Sequence, residues 1–165
     1  MRTAVVDSSP LINLTHLGLA GELSLFFDMV YVPRSVQREL NRKGRFRYRL
    51  NKLYETGWFI RCGAADEWNV NLLRDQLHEG EAEALIQAQE KDAAFFIGDE
   101  GRARKIAERM GRKAVGTLRL LARLNLEGRA PELGSMVRKL QLDLGFRVSE
   151  DLVRQAIEMA PEPIA

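Results

Sequence analysis

Four acidic residues carry the chemistry this chain has to offer: Asp7, Glu39, Glu81 and Asp99. Asp7 closes the apolar run Ala4-Val5-Val6, Asp99 follows Phe95-Phe96-Ile97-Gly98, and Glu39 and Glu81 lie in stretches that read as helices. A sheet of parallel strands would gather two or more of these carboxylates near its carboxyl edge, where such folds bind ligands. Crowded carboxylates repel one another unless a cation holds them together, and hard oxygen donors favour Mg²⁺ or Mn²⁺ over zinc. A metal-dependent nuclease is expected, because such ions lower the pKa of a bound water and stabilise charge on the oxygens of a phosphodiester.

Each acid also has a plainer possible duty. Asp7 stands directly before Ser8-Ser9-Pro10 and suits a helix cap. Glu39 has Arg34, Arg38 and Arg42 nearby and suits a surface ion pair, although Val36 and Leu40 set it at the edge of an apolar face. Glu81 and Glu83 both fall in the first turn of their helix, where acids complement the dipole. Asp99 and Glu100 can each cap the helix that starts near Arg102. His16 and His78 lack paired ligand spacing and suit packing or surface roles. Cys62 is the one cysteine, which excludes a disulfide or a thiolate cluster within the chain; it reads as a small hydrophobe at a strand end.

The formal charge is +2, yet it is unevenly spread. Pro33 to Cys62 carries nine Lys or Arg against Glu39 and Glu55, a local +7 that leaves the remainder at about −5. A basic surface beside an acidic pocket suits a polyanionic substrate held by one region and cut at the other. The basic residues concentrate in Arg42, Lys43, Arg45, Arg47, Arg49 and Lys52, interleaved with Phe46 and Tyr48. Aromatic rings that stack on unpaired bases, with cations on phosphates, suit single-stranded RNA. A solvated helix with buried aromatics and a dock for an acidic partner are the alternatives. Arg102, Arg104 and Lys105, just after Asp99, can likewise steer phosphate.

These residues need a scaffold, and 165 residues with 45% hydrophobic and 29% charged composition suit one domain. The alternation predicts strands at Thr3–Val6, Met29–Val32, Trp58–Ile60, Ala94–Ile97 and Lys113–Val115. Helices are expected from Ser9-Pro10 to Gly18, over Ala20–Phe27, after Pro33, over Arg45–Tyr54, from Gly80, over Arg102–Met110 and over Thr117–Leu126. Ala64 to His78 has no firm assignment. Residues 131–160 read as helical packing elements and 161–165 as a frayed tail. A parallel α/β sheet follows from this order. No apolar run reaches the roughly 20 residues of a membrane span, and the amino terminus lacks the pattern of a secretory signal, so a cytoplasmic protein is expected. Leu118, Leu120, Leu121 and Leu124 suit either a subunit interface or the core.

Val5-Val6-Asp7-Ser8-Ser9-Pro10-Leu11, the Pro33 to Leu40 segment with Glu39, Gly80-Glu81-Ala82-Glu83-Ala84 and Ile97-Gly98-Asp99-Glu100 resemble, in that order, the PIN-domain fold, the family that includes VapC-type toxin ribonucleases. Val115-Gly116-Thr117-Leu118 and Gly145-Phe146-Arg147-Val148-Ser149 resemble a little-characterised PIN-like branch linked to toxin–antitoxin systems. The resemblance implies a three-layer α/β/α sandwich with a central, mainly parallel sheet and a helical C-terminal extension beyond about residue 125. It also implies one or two Mg²⁺ or Mn²⁺ ions on Asp7, Glu39, Glu81 and Asp99, with Ser9 as a supporting residue. Relatives of this kind cut RNA, pair with an antitoxin and commonly form homodimers.

The sequence departs from the common pattern in three places. Glu81 stands where Asp is usual, with Glu83 as a second candidate. Ile97 replaces a hydroxyl residue for which Thr117 is a possible substitute, and Asp99-Glu100 offers two acids for one role. A non-catalytic PIN-like RNA-binding or docking protein is the leading alternative. A receiver-type α/β domain is weaker, since no glycine-rich phosphate loop is present.

Overall fold

The computed structural model describes residues 1–164. Five short strands, β1 (Thr3–Val6), β2 (Met29–Val32), β3 (Phe59–Arg61), β4 (Phe95–Ile97) and β5 (Lys113–Val115), form one sheet in the order β3-β2-β1-β4-β5. Every pairing is parallel, so the sheet is wholly rather than mainly parallel. Parallel sheets need both faces covered, and β1 shows why this one forms. All four of its side chains are buried, Ala4 and Val6 in the core on one face and Val5 in the core on the other. Phe95 and Ile97 against Phe96 divide in the same way, as period-2 geometry dictates.

Among the described residues, nine α-helices cover the two faces. They are α1 (Ser8–His16), α2 (Arg34–Arg42), α3 (Arg47–Tyr54), α4 (Glu67–Leu73), α5 (Glu79–Glu90), α6 (Gly101–Arg109), α7 (Thr117–Leu126), α8 (Leu133–Leu144) and α9 (Glu150–Met159). The result is a helix–sheet–helix sandwich with α8 and α9 packed on α7 as a helical extension. Leu120, Leu121 and Leu124 are fully buried in that packing, so they serve the core and not a subunit interface.

Several expectations change. Ala20–Leu25 is a 3₁₀ helix ending before Phe26, and Gly44–Phe46 is a 3₁₀ turn separate from α3. The unassigned stretch contains α4, whose amino end is capped by the Asp66 side chain accepting from the Asn69 amide at 3.0 Å. The tail Pro161–Ile164 has contacts of its own: Arg123 donates to the Ala160 and Pro161 carbonyls at 3.1 and 2.9 Å, Arg119 donates to those of Met159 and Glu162, and Ile164 packs on the core. The remainder of that expectation, Ala165, lies outside the described residues.

The strand order puts the switch point between β1 and β4, because the chain leaves β1 toward β2 on one side and returns to β4 on the other. Ligands bind outside the carboxyl ends of strands at such a point. Val6 pairs with Ile97 and Ile97 with Val115, so the residues that follow these strands, Asp7, Asp99 and Thr117, come side by side.

Candidate active site

Asp7 occupies the N-cap position of α1, but its side chain makes no capping bond. It is 6% exposed at the end of an apolar strand. Burial pushes its carboxyl up to about 7 from 3.8; the Ser8 amide pulls the other way, and Glu81, Glu39 and Asp99 each add repulsion. The other three acids singled out by sequence thus all lie near enough to Asp7 to act on its charge.

Asp99 is fixed more tightly than any other acid. One carboxylate oxygen, Oδ1, accepts the Thr117 amide at 2.7 Å. The other, Oδ2, accepts the Thr117 hydroxyl at 2.7 Å, the Ser9 hydroxyl at 3.2 Å and the Asn13 amide group at 3.3 Å. Gly116 makes this approach possible, since a Cβ there would stand 3.0 Å from Asp99 Oδ1 and 3.3 Å from Arg104 Nη1. Gly98 is required for a different reason: a Cβ would fall 2.3 Å from the buried Phe96 ring.

Asn13 was not singled out from the sequence. It is buried in α1 and also donates to the Thr117 hydroxyl at 3.3 Å. The available signal was a lone amide between Ile12 and Leu14, four residues and one helical turn after Ser9.

The helical acids separate into different duties. Glu81 accepts the His78 amide at 3.1 Å at the start of α5, a contact that holds the helix entry while its charge still reaches Asp7. Glu83 is buried and accepts the Ser35 amide at 3.0 Å, which fastens α5 to the first turn of α2. Glu39, half-buried on α2, opens with Arg38, Arg42, Lys43 and Gly80 onto a groove of about 670 Å³. Glu100 is exposed and faces the shallow cleft of Glu81, His78 and Arg102.

In the basic segment, Tyr48 is 70% exposed with Lys52 above its ring, whereas Phe46 is 2% exposed. Phe46 therefore cannot stack on a base; the 3₁₀ turn folds it into the core shared with Leu40 and Leu50. Arg49 is also committed, donating to the Thr15 carbonyl at 2.8 Å. Arg42, Lys43, Arg45, Arg47 and Lys52 remain exposed. Away from the site, Cys62 is buried after β3 and burial pushes its thiol up to about 11, and His16 pairs with Asp143 of α8 at 2.8 Å.

The family model described as a PIN domain matches residues 3–162 of this chain. The chain belongs to the PIN-domain family. PIN domains are in general nucleases that work with divalent metal ions, and the helical extension lies within the matched span. A comparison with curated protein sequences finds no match. No described helix is long and apolar enough to cross a membrane.

The donor set of this PIN domain fits a hard divalent cation. It consists of carboxylate oxygens, and Asp7 and its neighbours carry like charges that a cation would offset. Among the described residues no group of three or more His, Cys, Asp or Glu side chains is disposed to hold one ion. Mg²⁺ keeps several waters and is commonly bound by only one or two carboxylates together with substrate phosphate, so a closed cage is not required.

Proposed function

We propose that this PIN domain is a metal-dependent endoribonuclease that hydrolyses RNA phosphodiester bonds as the toxin component of a toxin–antitoxin pair. The reading rests chiefly on Asp7, a buried carboxylate pushed up to about 7 with Glu81, Glu39 and Asp99 all adding repulsion, at the switch point of a parallel sheet. Asp7 and Asp99 would hold Mg²⁺ or Mn²⁺, and Glu39 and Glu81 would orient its waters. Bound there, the ion supplies Lewis-acid chemistry for hydrolysis. The chain's own share is positional: Thr117, Ser9 and Asn13 hold Asp99 in one orientation, and Glu83 holds α2, which carries Glu39. Single-stranded RNA suits the exposed cations Arg42, Lys43, Arg45, Arg47 and Lys52 with Tyr48 as a stacking platform. The same cations suit an acidic antitoxin segment.

The test is cleavage of a mixed single-stranded RNA pool with Mg²⁺ or Mn²⁺, compared with EDTA and with Asp7→Asn. Cutting that needs metal and is lost in Asp7→Asn supports the reading. RNA or partner binding without cutting favours the second reading, a non-catalytic scaffold.

A further inference from the structure

A cavity of about 430 Å³ runs alongside β5, between that edge strand and the C-terminal extension. One end reaches Asp99 and Gly116 at the carboxyl edge of the sheet, and the other reaches Lys113 and Phe95. Its far wall comes from Phe146-Arg147-Val148 and from α9. The lining is mixed: polar and charged groups share it with Leu118, Phe146 and Val148, each half-buried and so presenting apolar surface to an occupant. Four cations line it: Arg104, Lys113, Arg119 and Arg147. Arg119 is committed to the Met159 and Glu162 carbonyls, and Lys113 lies over the Phe95 ring at 5.5 Å. None of the ion pairs among the described residues involves Arg104 or Arg147.

Apolar surface and cations lining one cavity that also reaches Asp99 have the chemistry of a site for a flat base joined to a phosphate. The volume falls in the range of about 300–1,000 Å³ typical of small-molecule sites. Position adds a second argument. The groove holding Arg38, Arg42 and Lys43 belongs to α2, which follows β2, whereas this cavity flanks β5; the acids after β1 and β4 lie between them. Three strand spacings separate β2 from β5, about 14 Å. A nucleic-acid strand laid along the carboxyl edge would cross the acids with cations on either side.

We propose that this cavity is a nucleotide subsite that receives one base of the RNA strand crossing the acids, with Phe146 against the base and Arg104 and Arg147 on its phosphates. The subsite rests on the ribonuclease reading for its ligand, and it extends that reading by giving the C-terminal extension a role in substrate recognition. The extension becomes the wall that distinguishes one side of the scissile bond from the other.

The experiment uses the full chain in EDTA with short single-stranded RNAs carrying 4-thiouridine at one position each. After irradiation, the crosslinked residues are identified by mass spectrometry, and cleavage of the same RNAs is measured separately with Mg²⁺ and Mn²⁺. Crosslinks to Phe146 or its neighbours from one or two adjacent nucleotide positions support the subsite. Arg147→Glu combined with Phe146→Ala should then weaken RNA affinity by about tenfold, while the exposed control Arg138→Glu changes it by less than about twofold. Cleavage with crosslinks confined to Arg42–Lys52 overturns the subsite and leaves the ribonuclease reading intact. Crosslinks in the cavity without cleavage support the subsite and sink the hydrolase reading. Neither binding nor cleavage of any RNA overturns both.

Discussion

Thr117 gives both its backbone amide and its hydroxyl to the Asp99 carboxylate, each at 2.7 Å, so the residue that starts α7 fixes the acid that follows β4. Thr117 is wholly buried, and losing the hydroxyl leaves Asn13 as well as Asp99 short of a partner. Thr117→Val should lower stability by about 1–3 kcal/mol, read from the midpoint of urea unfolding, and should reduce RNA cleavage. Thr117→Ser keeps the hydroxyl and should retain most of both. A loss in Thr117→Ser with none in Thr117→Val would show that the methyl packing, not the hydrogen bond, matters.

Asp7 makes the metal-free protein sensitive to pH. Its folded-state carboxyl is raised to about 7 from 3.8, so the native state holds this proton more tightly than the unfolded chain does. The stabilising contribution is therefore full below about pH 4 and is lost as pH rises through about 7. In EDTA, the urea midpoint should fall between pH 5 and pH 8, and Asp7→Asn should remove much of that fall. Parallel slopes for the two proteins would contradict the assignment. Mg²⁺ or Mn²⁺ should add more stability at pH 8 than at pH 5, because binding needs the ionised carboxylate.

Glu83 is a strut between helices. Glu83→Ala strips the Ser35 amide of its acceptor and opens space in a buried contact between α5 and α2, at a cost of about 1–3 kcal/mol. Glu83→Gln retains an acceptor oxygen and should behave far more mildly in both unfolding and RNA cleavage. A metal-ligand role would instead make Glu83→Gln nearly as inactive as Glu83→Ala while leaving it stable.

Phe46 and Tyr48 lie two residues apart and should respond in opposite ways. Phe46→Ala empties a core position and should cost about 3–5 kcal/mol of stability. Tyr48→Ala removes an exposed ring, so stability should hold within about 0.5 kcal/mol. Its effect should appear in RNA affinity, measured in EDTA, as a loss of about fivefold or more.

The acids and the sheet were legible because both rest on local signals. An apolar run that stops at an acid, as at Val6-Asp7 or Ile97-Gly98-Asp99, marks a strand and its exit together, and five short strand-like runs, two of them ending this way, alternating with helical periodicity leave little choice of architecture. Partners far along the chain leave no comparable mark. Asn13 lies 86 residues from Asp99, and nothing within α1 says which side chain it will meet. Glu81 and Glu83 are both first-turn acids by spacing, and the packing of α5 on α2 decides that Glu83 is the one turned inward. Phe46 stayed open because a helix over Arg45–Tyr54 allows its ring to stand with the cations or to be buried, and only the separate 3₁₀ turn Gly44–Phe46 places it in the core with Leu40 and Leu50. The contacts of the tail leave no local mark for a similar reason, since its partners Arg119 and Arg123 sit 37 to 43 residues upstream.

The hydrogen bonds on Asp99 come from Ser9 and Asn13, made early in synthesis, and from Thr117, made 18 residues after it. A chain still emerging from the ribosome has the first acids but no Thr117 to complete the set. The order of synthesis therefore leaves Asp99 with Ser9 and Asn13 alone as its anchors until Thr117 has been added.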